Sequence, residues 1–191
     1  GGACVLSFSV RCAYDDDTVY VALGVPYTLS HLNRYLEQLQ ADPARSAHMR
    51  VHTLAATLAG NGCPLVTVSE RAEDPCALRR RRAVVVSARV HPGEVNSSWI
   101  MHGLLEYLTG ASAGARALRR RFVFKLIPML NPDGVVLGNH RASLAGVDLN
   151  RKWLRPSARR HPTVHAARQL VARLQDSNGV VLFLDLHAHS R

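Results

Sequence analysis

Apolar residues follow two rhythms along this chain, and the change falls near residue 83. Residues 4–12, CVLSFSVRC, and 18–25, TVYVALGV, alternate apolar with polar on either side of AYDDD. A period of two marks half-buried strands, so this opening predicts a β-hairpin. Pro26-Tyr27-Thr28 ends it. Ser30 is then placed to cap a helix whose apolar positions are Leu32, Tyr35, Leu36 and Leu39. Residues 51–58 and 63–70 read as a second strand pair that turns at Gly60-Asn61-Gly62. Residues 71–82 form a polar, arginine-rich loop.

After residue 83 the strands become unbroken apolar runs with helices between them. Strand 83–90 leads to a helix from about 96 to 108 and a short basic helix over 115–121. Strand 122–130, FVFKLIPML, follows, then a long loop over 131–160. Residues 161–175 are helical, with Val164, Leu170, Val171 and Leu174 on one side, and VVLFLDL at 180–186 is the last strand. Unbroken apolar strands alternating with helices predict an α/β fold, a mixed sheet with helices on both faces. No internal repeat interrupts this order.

The length of 191 residues and 47% hydrophobic content suit one sizeable core and at most a piece of a second domain. No apolar run approaches the roughly 18 residues of a membrane span. The opening GGACVLSFSV has no initiator Met, basic region or cleavage site, so no signal peptide is expected. That opening, and the ending DLHAHSR directly after a strand, read as the ends of a fragment. Cys4, Cys12, Cys63 and Cys76 show no CxxC spacing and are expected as reduced thiols of an intracellular protein.

The net charge is +10, yet only Lys125 and Lys152 are lysines among the 24 basic residues. An arginine and alanine bias follows nucleotide composition as readily as selection for charge. Arg79–Arg82 and Arg119–Arg121 are therefore expected as mostly solvated faces. No aromatic residues interleave with them, which argues against a nucleic-acid partner.

Candidate chemistry starts at SARVHPGEVNSSW, residues 87–99. His91 and Glu94 stand three apart where Pro92-Gly93 breaks a buried strand. A tight turn can aim both at one point, and zinc takes imidazole nitrogen and carboxylate oxygen. His187 also follows the carboxyl end of a buried strand, where open α/β sheets place their sites. His189 competes with it, and reads better as a partly exposed polar residue. His161 and His165 have helical metal spacing but no nearby carboxylate, and are expected on a surface face. A carboxylate often accepts the second ring N–H of a ligand histidine. Asp148 could do so for His91, with Asp185 as the alternative. Asn150 and Arg151 stand together as an anion-recognition pair, since arginine forks suit carboxylates.

The motifs HPGE, NPDG, GNHR, GVDLNRKW and LDLHAHS, in that order, resemble zinc carboxypeptidases of the carboxypeptidase A kind. HPGE and GNHR are similar to the cytosolic branch, which trims glutamates from tubulin and other acidic tails. VPYTLSHLNRYL resembles the join between a β-sandwich domain and the catalytic domain of that branch. The resemblance implies residues 1–25 as the end of a β-sandwich and 26–191 as the first part of the catalytic domain. It implies one zinc ion held by His91, Glu94 and His187. Asn150 and Arg151 would hold the substrate's terminal carboxylate, Arg141 would stabilise the oxyanion, and Asp148 would support His91. It further implies acidic C-terminal tails as partners, a cytoplasmic and cytoskeleton-associated location, and no membrane. The family's general-base glutamate would fall beyond Arg191, leaving residues 1–191 alone inactive. Two rival readings are a related zinc amidase of the aspartoacylase kind, against which NPDG…GNHR argues, and a non-catalytic basic module binding acidic tails.

Overall fold

The computed structural model describes residues 5, 7–22, 24–71, 76 and 80–188. Helix α1 (Leu29–Ala41) buries Leu32, Tyr35, Leu36 and Leu39, the four positions expected. Its cap is Thr28 rather than Ser30: the Thr28 hydroxyl accepts the His31 N–H. Asp42 ends it and caps the short α2 (Pro43–Ser46), with Pro43 at the first helical turn. Strands β1 (Met49–Ala56) and β2 (Gly62–Val68) pair antiparallel. Gly60 in their turn has φ +82, which a side chain would resist.

The second half contains β3 (Arg82–Ala88), α3 (Val95–Thr109), α4 (Ala113–Arg121) and β4 (Phe122–Ile127). It continues with α5 (Pro132–Val136), a 3-10 turn (Leu149–Arg151), α6 (Pro162–Ser177) and β5 (Val180–Leu186). The expected loop over 131–160 thus contains two short structured turns. Both have side-chain caps, from Asn131 and Asp148, which supply helix starts that hydrophobic periodicity does not show.

The sheet order is β1-β2-β4-β3-β5. Neighbours β1/β2 and β2/β4 run antiparallel, while β4/β3 and β3/β5 run parallel. The result is a mixed sheet flanked by helices, an α/β fold as the apolar rhythm predicts. Alternate residues of β3 feed two cores. Val84, Val86 and Ala88 pack with α1 and α3 through Leu36, Met101 and Leu105. Ala83 and Val85 pack with α6 through Val164, Ala167 and Leu170. Each fully buried Leu here contributes about 1.5–3 kcal/mol.

Three expectations are corrected. Residues 7–22 form no strand, so the described part of the expected hairpin is not paired. Val10, Tyr14, Tyr20 and Val21 are exposed there, and a two-stranded ribbon with nothing covering its apolar side is marginal. Arg119 is not solvated but 1% exposed. Its Nε bonds Glu70 at 3.1 Å, and its Nη1 donates to the Leu108 and Gly110 carbonyls at 2.8 and 2.7 Å, closing the end of α3. Arg81 is also committed, donating to Ser69 Oγ at 2.8 Å and to the carbonyl of Glu70.

Removing Arg119 strips Glu70 of its buried arginine, leaving it only His48 at 3.1 Å, and deprives the Leu108 and Gly110 carbonyls of their side-chain donor. Arg119→Ala is expected to lower stability by about 3 kcal/mol, whereas the exposed Arg120→Ala changes it by less than about 0.5 kcal/mol. Urea melts of the two variants check this, and equal effects would contradict the placement of Arg119.

Candidate metal centre

Strand β3 ends at Ala88, and the chain reverses through Arg89 at φ +58. A non-glycine residue keeps that conformation only where its surroundings over-determine it. Here the buried Arg89 side chain does so. Its Nε donates to the Pro92 carbonyl at 2.7 Å, and its Nη1 to Ser98 Oγ at 2.9 Å and the Tyr27 carbonyl at 3.0 Å. Burial lowers its pKa to about 10, so it stays charged at neutral pH. Ser97 Oγ accepts the Arg89 N–H at 3.1 Å and donates to the Glu94 carbonyl at 2.7 Å. Arg89, Ser97 and Ser98 shape the turn, and sequence reasoning passed over all three. The one available signal was two serines directly after the turn that carries His91 and Glu94.

The turn is clamped from its other side by the loop after β4. Gly93 N donates to the His140 carbonyl at 2.8 Å, and a Cβ on Gly93 would lie 2.7 Å from that same oxygen. A Cβ on Gly134 would lie 2.3 Å from Pro92 Cγ. Asn131 Nδ2 donates to the Val90 carbonyl at 3.2 Å. The glycines of HPGE and NPDG therefore permit backbone-to-backbone packing of the two motifs.

This packing points His91 and Glu94 at His187, which follows β5. The three residues offer ligand atoms that all lie within 4.8 Å of one another. His91 Nδ1 is 2.7 Å from Glu94 Oε1, and His187 Nδ1 is 2.9 Å from Glu94 Oε2. Each ring turns its other nitrogen to a separate carboxylate. His91 Nε2 lies 3.1 Å from Asp148 Oδ1, and His187 Nε2 lies 3.0 Å from Asp185 Oδ2. A carboxylate at Nε2 fixes the proton there and leaves the Nδ1 lone pair facing the shared point. Two such nitrogens and one carboxylate, with a side open to solvent at His187, fit a catalytic zinc site.

Glu94 and Asp148 are held ionised. Burial acts to raise the Glu94 pKa, but the Ala188 N–H at 3.0 Å and the two histidine rings outweigh it and bring it below the ordinary value. Asp148 is lowered in the same way: burial opposes ionisation, and His91, the Asn150 N–H and Arg141 prevail. Asp148 lies against His91, and the alternative, Asp185, lies against His187 instead. Asp185 is itself held by Ser87 Oγ on β3 at 2.7 Å, a partner that only the strand register reveals.

Asp148 also gathers the other candidates. Its Oδ2 accepts from Arg141 Nε at 2.8 Å, and its Oδ1 accepts the Asn150 N–H at 2.9 Å. Arg151 follows in the same 3-10 turn, exposed, its guanidinium without a hydrogen bond among the described residues. His161 and His165 stand apart from this group, and His161 corrects the surface expectation. It is 6% exposed and caps α6, its Nδ1 accepting the Ser157 N–H at 3.0 Å. His189 and Cys4 lie outside the described residues. Cys12 and Cys63 are free thiols. Among the described residues no helix is long and apolar enough to cross a membrane.

A mixed α/β sheet with two histidines and a glutamate converging beyond its parallel strands defines a zinc-hydrolase type of site. Residues 32–191 match the zinc carboxypeptidase family. The chain belongs to that family. Over 97% of its length it is 45% identical to both cytosolic carboxypeptidase 1 and cytosolic carboxypeptidase 2 of Danio rerio. It spans 17% and 26% of those two relatives. The crystal structure of a Burkholderia cenocepacia metallo-carboxypeptidase superposes with a TM-score of 0.73 at 32% identity, covering 86% of this chain and 42% of that one. Carboxypeptidase A of Helicoverpa armigera shares the fold at 18% identity and TM-score 0.65, covering 86% of this chain and 46% of its own.

Metal analysis of the purified protein is expected to give one zinc per chain, lost in His91→Ala and in His187→Ala. Asp185→Asn should keep the fold but weaken zinc affinity about 10–100-fold in a chelator competition. Unchanged zinc content in both histidine variants would rule the site out.

Proposed function

We propose that this chain forms the zinc-binding and carboxylate-gripping part of a cytoplasmic metallocarboxypeptidase that removes C-terminal glutamate from acidic protein tails such as that of tubulin. The observation that carries the proposal is Asp148. It joins a ligand histidine, Arg141 and the Asn150-Arg151 turn at the rim of one three-ligand group. A bare metal-hydrolase site has no need of two arginines and an asparagine beside it, whereas an exopeptidase must grip a free carboxylate. In the same reading residues 1–25 close a preceding β-sandwich domain.

Arg151 and Asn150 present donors to the terminal carboxylate, the arginine through its planar fork. Arg141 spends Nε on Asp148, which leaves its Nη nitrogens to face the oxygen of the scissile carbonyl as charge develops there. Zinc, when bound, supplies Lewis-acid polarisation of that carbonyl and a water of lowered pKa. Glu94, Asp148 and Asp185 are all engaged with histidines. In this reading the proton acceptor for the attacking water is the glutamate that the likeness to the family implies beyond residue 191. The preference for glutamate rests on the likeness to the cytosolic branch. The net charge of +10 supports it by drawing acidic chains toward the molecule.

In the full-length protein a glutamate-ended peptide should be cleaved, and its C-terminal amide should not. Equal cleavage of the two would defeat the exopeptidase reading. Turnover of an N-acyl aspartate in their place would favour the amidase. Arg141→Ala is expected to lower kcat on the order of 10²–10³-fold, while Arg151→Ala chiefly raises KM. Among peptides differing only in the last residue, faster cleavage of Phe or Lys than of Glu would overturn the substrate assignment. Residues 1–191 alone, at equal zinc occupancy, should retain no more than traces of activity, since a general base contributes about 10²–10⁴-fold.

A further inference from the structure

Trp153 lies two residues past the anion-recognition pair, and its indole Nε1 donates to Asn150 Oδ1 at 3.1 Å. An amide side chain has two faces of opposite character, and its orientation normally follows from whatever surrounds it. Here one neighbour decides it. An indole N–H can only donate, so the atom it meets must be the amide oxygen. Asn150 Nδ2 is then the end left for a ligand, and it has no hydrogen-bond partner among the described residues. The Asn150 backbone N–H is already taken by Asp148 at 2.9 Å, so the residue is fixed at both ends.

The indole is itself braced. Its ring meets the ring of Phe183 on β5 edge to face, with centroids 5.6 Å apart at 80°, a favourable aromatic geometry. It packs against the core that holds Leu149 and Leu170. The amide of Asn150 is thus oriented by a side chain that packs on β5, the strand that leads into His187.

We propose that Trp153 is a positioning residue that sets selectivity for a carboxylate over a carboxamide, by holding the Asn150 amide with its donor end outward. The inference rests on the proposed carboxylate grip of Asn150 and Arg151. With the amide fixed, both partners offer only donors. A carboxylate, which only accepts, satisfies them. A C-terminal carboxamide brings an NH2 group that must face a donor, and the mismatch leaves polar groups unpaired. Without the indole N–H, the amide is free to flip, present Oδ1 outward and accept from that NH2.

The test uses the zinc-loaded full-length protein, with KM and kcat for a glutamate-ended peptide and Ki for the same peptide amidated. Trp153→Phe keeps a ring against Phe183 and removes the donor. It is expected to raise KM for the acid about fivefold, leave kcat within twofold, and reduce the preference for acid over amide about tenfold. Trp153→His retains a ring N–H and should restore much of that preference. An unchanged preference in Trp153→Phe, while Asn150→Ala raises KM, would overturn the role of Trp153 alone. No effect of Asn150→Ala would remove the carboxylate grip and this inference with it. Should Trp153→Phe fail to fold, the wild-type protein provides the answer by NMR. The Trp153 indole proton should exchange slowly with solvent, and the Asn150 NH2 signals should shift with the acid peptide. Fast indole exchange would overturn the proposal.

Discussion

Parallel pairing of β3 with β5 is the constraint on which the candidate site depends. The register sets Ser87 opposite Asp185 and Ala88 opposite Leu186, so both strands finish at one level and deliver His91 and His187 to the same place. The pairing also brings the Ser87 hydroxyl to Asp185, which in turn holds His187. A slip of one residue would turn Asp185 to the opposite face of the sheet and release that histidine. β3 itself is held by burial along both faces, with Val84 and Val86 in one core and Val85 in the other.

A second level of order lies in charges placed where water is scarce. Arg89 sits with its guanidinium against carbonyls and a hydroxyl, and no carboxylate is among those partners. Such a group is tolerable because its Nε and Nη1 both meet acceptors. Its contacts tie Tyr27, just ahead of α1, to Pro92 in the turn that carries His91 and Glu94 and to Ser98 in α3. The segment entering the domain is thereby fastened to the turn that aims two ligands. Asp148 plays the matching part on the opposite rim, where one carboxylate orients a ligand ring, an arginine and the turn that carries Asn150 and Arg151.

Much of this was legible in the sequence, and the reasons differ by element. The helix over Leu32, Tyr35, Leu36 and Leu39 and the strands β3 and β4 were plain because their burial follows from the apolar pattern, whereas β5, expected to be buried, leaves Val181, Leu182, Phe183 and Leu184 exposed at the sheet edge. His91, Glu94 and His187 were legible because each follows a strand end, and strand ends in α/β sheets meet. What stayed hidden depended on long-range pairing. Arg119 looked like one more exposed arginine in a basic helix, since nothing local shows that Glu70 and the end of α3 enclose it. Asp185 was weighed for the wrong histidine, because its partner is chosen by register. The opening hairpin was wrongly expected because alternation reports that a segment can pair, while pairing also needs a neighbour to cover its apolar face.

The central claim is that His91, Glu94 and His187 form one metal centre. Anomalous diffraction from crystals of the zinc-loaded protein, recorded on both sides of the zinc absorption edge, tests it most directly. The account predicts a single strong peak enclosed by the Nδ1 atoms of His91 and His187 and the carboxylate of Glu94. A dominant peak elsewhere, for instance beside His161 and His165, with none between those three residues, would contradict it.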